Sequence, residues 1–263
     1  TKLKLPVREM AATSDALAAG EIGFLPLPML APNALQIGTS NVASGALTLA
    51  ALDYATDAAR AGHVRGVCFA PMNKHSLRLG AMQAEDEMRH IQARLAVTEF
   101  VCEFNVTQNL WTSRVTSHIP LREVADHLSH EGIVSAVRII DKSLRASGIG
   151  APRIGVCGLN PHAGDGGSIG REEIDLIAPA VRAAKALGIE VSGPHPADTI
   201  FVAASKGAFD GIVTMYHDQG QIAMKLMGFD TGITVLGGLP VPFTTCASGS
   251  AFDIAGKGIA QIG

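Results

Sequence analysis

From Arg153 onward, short apolar runs rich in β-branched residues alternate with segments whose apolar positions recur every three or four residues, a pattern that predicts strands alternating with helices. The expected strands cover 153–159, 189–192, 209–215 and 232–236, and helices over 171–187, 198–205 and 219–227 lie between them. In the first of these helices Ile174, Ile177, Val181 and Ala184 form an apolar stripe, while Glu172, Asp175, Arg182 and Lys185 fall elsewhere. Repeated β/α units of this kind build a doubly wound sheet. The first half is less regular. Pro6, Pro26, Pro28 and Pro32 break residues 1–38 into short strands and turns. An alanine-rich helix over 39–62 follows, with a Ser or Asn cap at its start and Gly62 at its end, then a buried strand over 64–71 and a loop over 72–75. A helix over 85–95, strands over 99–104 and 111–116, and one long or two shorter helices over 121–147 complete the pattern.

The polar breaks carry the candidate chemistry. The strand ending at Leu159 runs into Asn160-Pro-His-Ala-Gly-Asp-Gly-Gly-Ser-Ile-Gly170 and then a helix, which places His162 at the carboxyl edge of a parallel sheet, where open α/β proteins bind ligands. His217 and Asp218, in Met215-Tyr-His-Asp-Gln-Gly220, end another strand; His118, in Val115-Thr-Ser-His-Ile-Pro120, follows β-branched residues and precedes a helix. Three neutral imidazoles suit a divalent metal and leave a position open for substrate. Three unrelated polar loop residues would give the same spacing.

Bulk properties narrow the class. A chain of 263 residues, 47% hydrophobic and 17% charged, forms one large domain or two smaller ones. Its net charge of -3, with no basic block, argues against a nucleic-acid surface. Cys68, Cys102, Cys157 and Cys246 include no CxxC pair, as expected of reduced, structural thiols. No apolar run reaches membrane-span length and the first residues lack a signal-peptide core, so a cytoplasmic location is expected. The chain begins without an initiator methionine, as a fragment or a trimmed chain would.

Gly158-Leu-Asn-Pro-His-Ala-Gly-Asp-Gly-Gly, Gly193-Pro-His-Pro-Ala-Asp-Thr-Ile-Phe201 and Met215-Tyr-His-Asp-Gln-Gly220 followed by Lys225 resemble, in order and spacing, the 4-hydroxythreonine-4-phosphate dehydrogenase family. The resemblance runs from about Cys68 to the end and includes Thr116-Ser-His-Ile-Pro-Leu-Arg122. The tail Gly249-Ser-Ala-Phe-Asp-Ile-Ala-Gly-Lys-Gly-Ile-Ala260 is also similar to the cofactor loop of isocitrate and isopropylmalate dehydrogenases. The resemblance implies a three-layer α/β/α fold of the isopropylmalate dehydrogenase type, with two subdomains, roughly 1–60 plus 205–263 and 61–204, and the active site in the cleft between them. It implies a metal-dependent, NAD- or NADP-linked oxidation of a hydroxy acid with loss of carbon dioxide from the β-keto acid. His118, His162 and His217 would bind the divalent metal (Zn, Mg, Mn or Co), in a site shared across a homodimer. Lys225 would be an acid, base or carboxylate clamp, against a solvated surface lysine. Asp218 and Asp198 are the carboxylate candidates, and Asp198 is equally an N-cap. Asp165 and Ser168 are positioning groups or plain turn residues. Without a GxGxxG loop, the cofactor falls to the backbone at Ser248, Gly249 and Ser250 with Asp253 nearby, unless Asp253 caps the next turn.

Some family positions differ. The His-Thr pair for substrate phosphate falls at about Met88 and Arg89, the substrate asparagine and arginine at Thr234 and Phe243, and the cofactor-loop histidine at Ser248. A phenylalanine cannot supply an arginine's bidentate contact, while Arg89 offers part of the lost charge or is a surface helix residue. Three readings follow: oxidation of 4-hydroxythreonine 4-phosphate or a related four-carbon acid phosphate, oxidation of an aromatic cis-dihydrodiol carboxylate, or a non-catalytic relative that keeps the metal. The family's opening strand and closing helix have no counterpart, so one family domain shortened at both ends is expected.

Overall fold

The computed structural model describes residues 7–27, 36–107, 109–228 and 232–260; the expectations for Pro6, Pro28 and Pro32 lie outside them. The chain divides into two compact units. The first comprises residues 1–98, 239–243 and 248–263, and the second 99–238 and 244–247, against an expected division near 60 and 204.

In the first unit, the short parallel strands β1 (Val7–Glu9) and β2 (Ile22–Phe24) precede α1 (Val42–Arg60). Asn41 caps α1 by accepting from the Ser44 N–H at 2.7 Å, and Gly62, at φ 75°, follows its end. β3 (Val67–Phe69) is shorter than the run 64–71 suggested. The residues read as a loop start a helix instead: α2 (Lys74–Leu79) is capped by the Asn73 side chain and packs backbone to backbone on α1. A Cβ at Gly45 would lie 1.8 Å from the Ser76 carbonyl oxygen, and one at Gly80 would lie 2.3 Å from the Gly45 carbonyl carbon. Only glycine allows that approach. α3 (Glu87–Arg94) joins α1 through Arg94, whose Nε and Nη2 donate to Asp57 at 3.0 and 2.6 Å.

The second unit is a twisted mixed sheet with helices on it. Its strands are β4 (Cys102–Thr107), β5 (Leu110–Arg114), β6 (Ile154–Cys157), β7 (Val191–His195), β8 (Gly211–Thr214) and β9 (Ile233–Gly237), in the order β9-β4-β5-β8-β6-β7. β5, β8, β6 and β7 run parallel, while β4 is antiparallel to both β5 and β9. β10 (Phe243–Cys246), absent from the expected pattern, lies beyond β9. Of the one long or two shorter helices expected over 121–147, the structure has two: extended backbone at Leu128 separates α4 (Val124–His127) from α5 (His130–Ala146). Ile133, Val137, Ile140 and Leu144 of α5 are fully buried, each worth roughly 1.5–3 kcal/mol, and pack with Phe104, Ile154 and Val213 of the sheet.

The helix after Gly170 departs from its expected stripe. It opens with a π turn over Glu173–Ile177 before α6 (Ala178–Ala186). Ile177 and Ala184 are fully buried and Val181 nearly so, but Ile174 is 43% exposed and Glu173, a charged residue, is 3% exposed. The wider π turn rotates the helical phase and carries Glu173 inward. α7 (Ala197–Ala204) and α8 (His217–Gly228) complete the unit. No helix among the described residues is long and apolar enough to cross a membrane.

All four cysteines are thiols; Cys102 and Cys157 are buried, Cys68 and Cys246 exposed. Burial pushes the Cys157 thiol up to about 12, so it stays protonated and unreactive at mildly alkaline pH. Ellman's reagent should therefore titrate two thiols in the native protein and four after denaturation. Rapid labelling of Cys157 in native protein, located by peptide mapping, would contradict this packing.

Candidate active site

The three histidines follow the carboxyl ends of three neighbouring parallel strands: His118 four residues after β5, His217 after β8, and His162 after β6. β8 lies between the other two. Hydrogen bonds hold these exits together. Thr116 donates from its N–H and its hydroxyl to the Met215 carbonyl, at 3.1 and 2.8 Å, which ties the His118 turn to the His217 turn. Gln219 accepts from the Met215 N–H at 2.8 Å and donates to the Gly158 carbonyl at 2.9 Å, which ties the His217 turn to the His162 loop.

His118 and His217 come together, with ring centroids 5.8 Å apart and planes inclined by 43°. His217 is the first residue of α8 and not a residue of the turn before it. Its Nδ1 is 2.7 Å from Asp218 Oδ1, a partner that fixes the ring and leaves Nε2 to bind. Asp218 thus serves the histidine. A ring oriented by a carboxylate beside a second imidazole is the donor chemistry a divalent ion needs, so the residues present fit one. His162 stands at the same edge without completing a trio: among the described residues no three His, Cys, Asp or Glu side chains gather closely enough to hold an ion.

His162 sits in an unusual loop. Residues 162–167 all have positive φ, from 43° to 98°, so the chain makes a left-handed turn through His162, Ala163 and Asp165 as well as three glycines. Glu173 holds it: Oε1 accepts from the Leu159 and Asn160 N–H groups, both at 2.7 Å, and Oε2 accepts from Asn160 Nδ2 at 3.1 Å. A Cβ at Gly164 would lie 2.6 Å from Glu173 Oε2, so the carboxylate and the glycine require each other. Asn160 Nδ2 also donates to Glu172 at 2.7 Å; Glu172's own backbone N–H and this amide hold its carboxyl below the usual range. Ser168 donates to the Asp165 carbonyl at 2.7 Å and to its carboxylate at 3.1 Å, which is turn chemistry. Sequence periodicity missed Glu173 and Gln219, since each occupies a place that reads as ordinary helix surface.

Other candidates are dispersed. Lys225 is exposed on α8, about 12 Å along the axis from His217. Asp198 lies in the first turn of α7, exposed, but the cap position is Pro196, which corrects the N-cap reading. Thr234 is on β9 directly opposite Asn105. Phe243 is fully buried, so the position of the family's arginine is filled by a core aromatic. In the first unit Met88 is buried, and exposed Arg89 donates to Gln92 at 2.8 Å along its own helix. Ser248 and Gly249 are exposed, Ser250 is half-buried, and Asp253 is exposed in a short 3-10 turn, Phe252–Ile254.

The family described as "Pyridoxal phosphate biosynthetic protein PdxA" matches residues 2–263. The chain belongs to the PdxA family. It is 54% identical over 226 residues to the "Putative 4-hydroxythreonine-4-phosphate dehydrogenase 2" of Pseudomonas aeruginosa, covering 85% of this chain and 67% of that protein. It is 38% identical to the "D-threonate 4-phosphate dehydrogenase" of Pectobacterium atrosepticum, covering 94% of this chain and 76% of that one. The crystal structure of 4-hydroxythreonine-4-phosphate dehydrogenase from Klebsiella pneumoniae superposes with a TM-score of 0.84 at 36% identity, covering 98% of this chain and 79% of that one. This PdxA-family chain therefore has the mixed α/β fold of a group of dehydrogenases, and it is an oxidoreductase by kinship.

Removing the Glu173 carboxylate strands two backbone N–H groups beneath the left-handed loop. Glu173→Ala should lower stability by roughly 2–5 kcal/mol in denaturant unfolding, and Glu173→Gln, which keeps one acceptor, by less. An unchanged midpoint for Glu173→Ala would show that the loop holds itself.

Proposed function

We propose that the chain is a metal-dependent, NAD- or NADP-linked dehydrogenase that oxidises a four-carbon hydroxy acid phosphate. 4-Hydroxythreonine 4-phosphate and D-threonate 4-phosphate are the candidates, with decarboxylation of the β-keto acid product. The observation that carries the reading is the pairing of His118 and His217 at the carboxyl edge, with Asp218 orienting His217. A divalent ion bound there supplies Lewis acidity toward a hydroxyl and a carboxylate on one substrate. His162 is the third ligand. Because only two of the three histidines gather within one chain, the reading includes a homodimer in which a second copy completes each site.

The chain's own groups take the remaining roles. When bound, the nicotinamide cofactor would supply the hydride acceptor for the hydroxyl-bearing carbon; Asp218 and Asp198 are the carboxylates, and Lys225 the amine, that would take the hydroxyl proton. Lys225 also clamps a substrate anion as a mobile point charge. Thr234 would contact the rest of the substrate, while Phe243, fully buried, supplies no fork, which favours a substrate bound differently at its phosphate. Ser248, Gly249 and Ser250, with Asp253 nearby in sequence, are the residues that would hold the adenosine half of the cofactor.

Purified protein should reduce NAD or NADP with one of the two acid phosphates only when a divalent ion is present. A chelator should stop the reaction, and His162→Ala should bring it to background. Metal binding without cofactor binding by calorimetry would overturn the enzyme reading, and turnover of an aromatic cis-dihydrodiol carboxylate in place of the phosphates would overturn the substrate class.

A further inference from the structure

A buried arginine forms an ion pair within the sheet. Arg114, the last residue of β5, has a side chain only 7% exposed and pairs through Nη2 with Glu103 of β4, itself 23% exposed. Such pairs seldom add net stability, because desolvating both charges offsets their attraction. Its other contacts are more informative. Arg114 Nε donates to Ser117 Oγ at 2.9 Å, and Ser117 directly precedes His118. Nη1 donates to Asn105 Oδ1 at 3.0 Å, and the same oxygen accepts from Gln221 Nε2 at 2.5 Å. Gln221 lies one turn after His217 on α8. The polar path therefore runs from the His118 turn, through Arg114 and Asn105, to the helix that His217 opens.

From this path we propose that Arg114 is a positioning residue that sets the spacing of His118 and His217, with Asn105 and Gln221 as the far end of the bridge. The inference rests on the metal reading above. Arginine suits the task because its planar fork donates in several fixed directions at once, here to Ser117, Asn105 and Glu103. Thr116 anchors the backbone of the turn; Arg114 adds the side-chain restraint next to the histidine itself. Outer partners of metal-binding histidines typically change metal affinity by about 10- to 100-fold.

The test uses Arg114→Met, which keeps an unbranched stem and removes the fork, and Gln221→Met, which cuts only the far end. Each is compared with the unmodified chain by thermal melting, by zinc calorimetry, and by ring-to-ring NOE between His118 and His217 in metal-free, histidine-labelled protein. The expected result is folded variants in which the NOE weakens and zinc affinity falls about 10- to 100-fold for Arg114→Met, with a smaller loss for Gln221→Met. An unchanged NOE and unchanged zinc affinity in folded Arg114→Met overturn the proposal. If Arg114→Met does not fold, Gln221→Met decides by the same two readouts. If the unmodified chain binds no zinc, the metal reading fails, and the metal-free NOE still decides the bridge.

Discussion

A single buried carboxylate makes the candidate site possible. Glu173 accepts three hydrogen bonds from Leu159 and Asn160 and so holds the end of β6 against the start of the next helix. The loop between them turns left-handed through three non-glycine residues, a conformation costing roughly 1–2 kcal/mol per residue. Hydrogen bonds to a charged acceptor contribute about 1.5–3 kcal/mol each, so the anchor and the strain are of similar size. The π turn is the local device that brings Glu173 to the loop, as such irregularities often do near functional groups.

The rest of the edge is built by bridging rather than by strain. β5, β8 and β6 are adjacent and parallel, so their exits emerge side by side, and Thr116 and Gln219 link each exit to the next. Side chains from segments about 100 residues apart in sequence thereby share one edge. Asp218 then does for His217 what Glu173 does for its loop: a carboxylate fixes a group that the chemistry needs in one orientation.

The buried Phe243 and Met88 turn two expected polar contacts into core, while Glu103 and Arg114 bring charge, and Asn105 an amide, into the sheet strands β4 and β5. The three histidines stand after the carboxyl ends of the adjacent strands β5, β8 and β6.

The alternation of strands and helices after Arg153, the caps at Asn41 and Gly62, and the positions of His118, His162 and His217 at strand ends were legible in the sequence, because each depends on local periodicity or turn chemistry. Tertiary structure decided the rest. Lys74–Leu79 became helical against a flanking helix, β4 ran antiparallel within an otherwise parallel region, and Asp198 fell one place inside its helix. Glu173, which periodicity assigns to the surface, was turned inward by one wide turn, and Arg114 found its partners across β4 and α8. Local pattern shows which residues are polar and where strands end; only the packed sheet brings distant backbone and side-chain donors to the same carboxylate or ring.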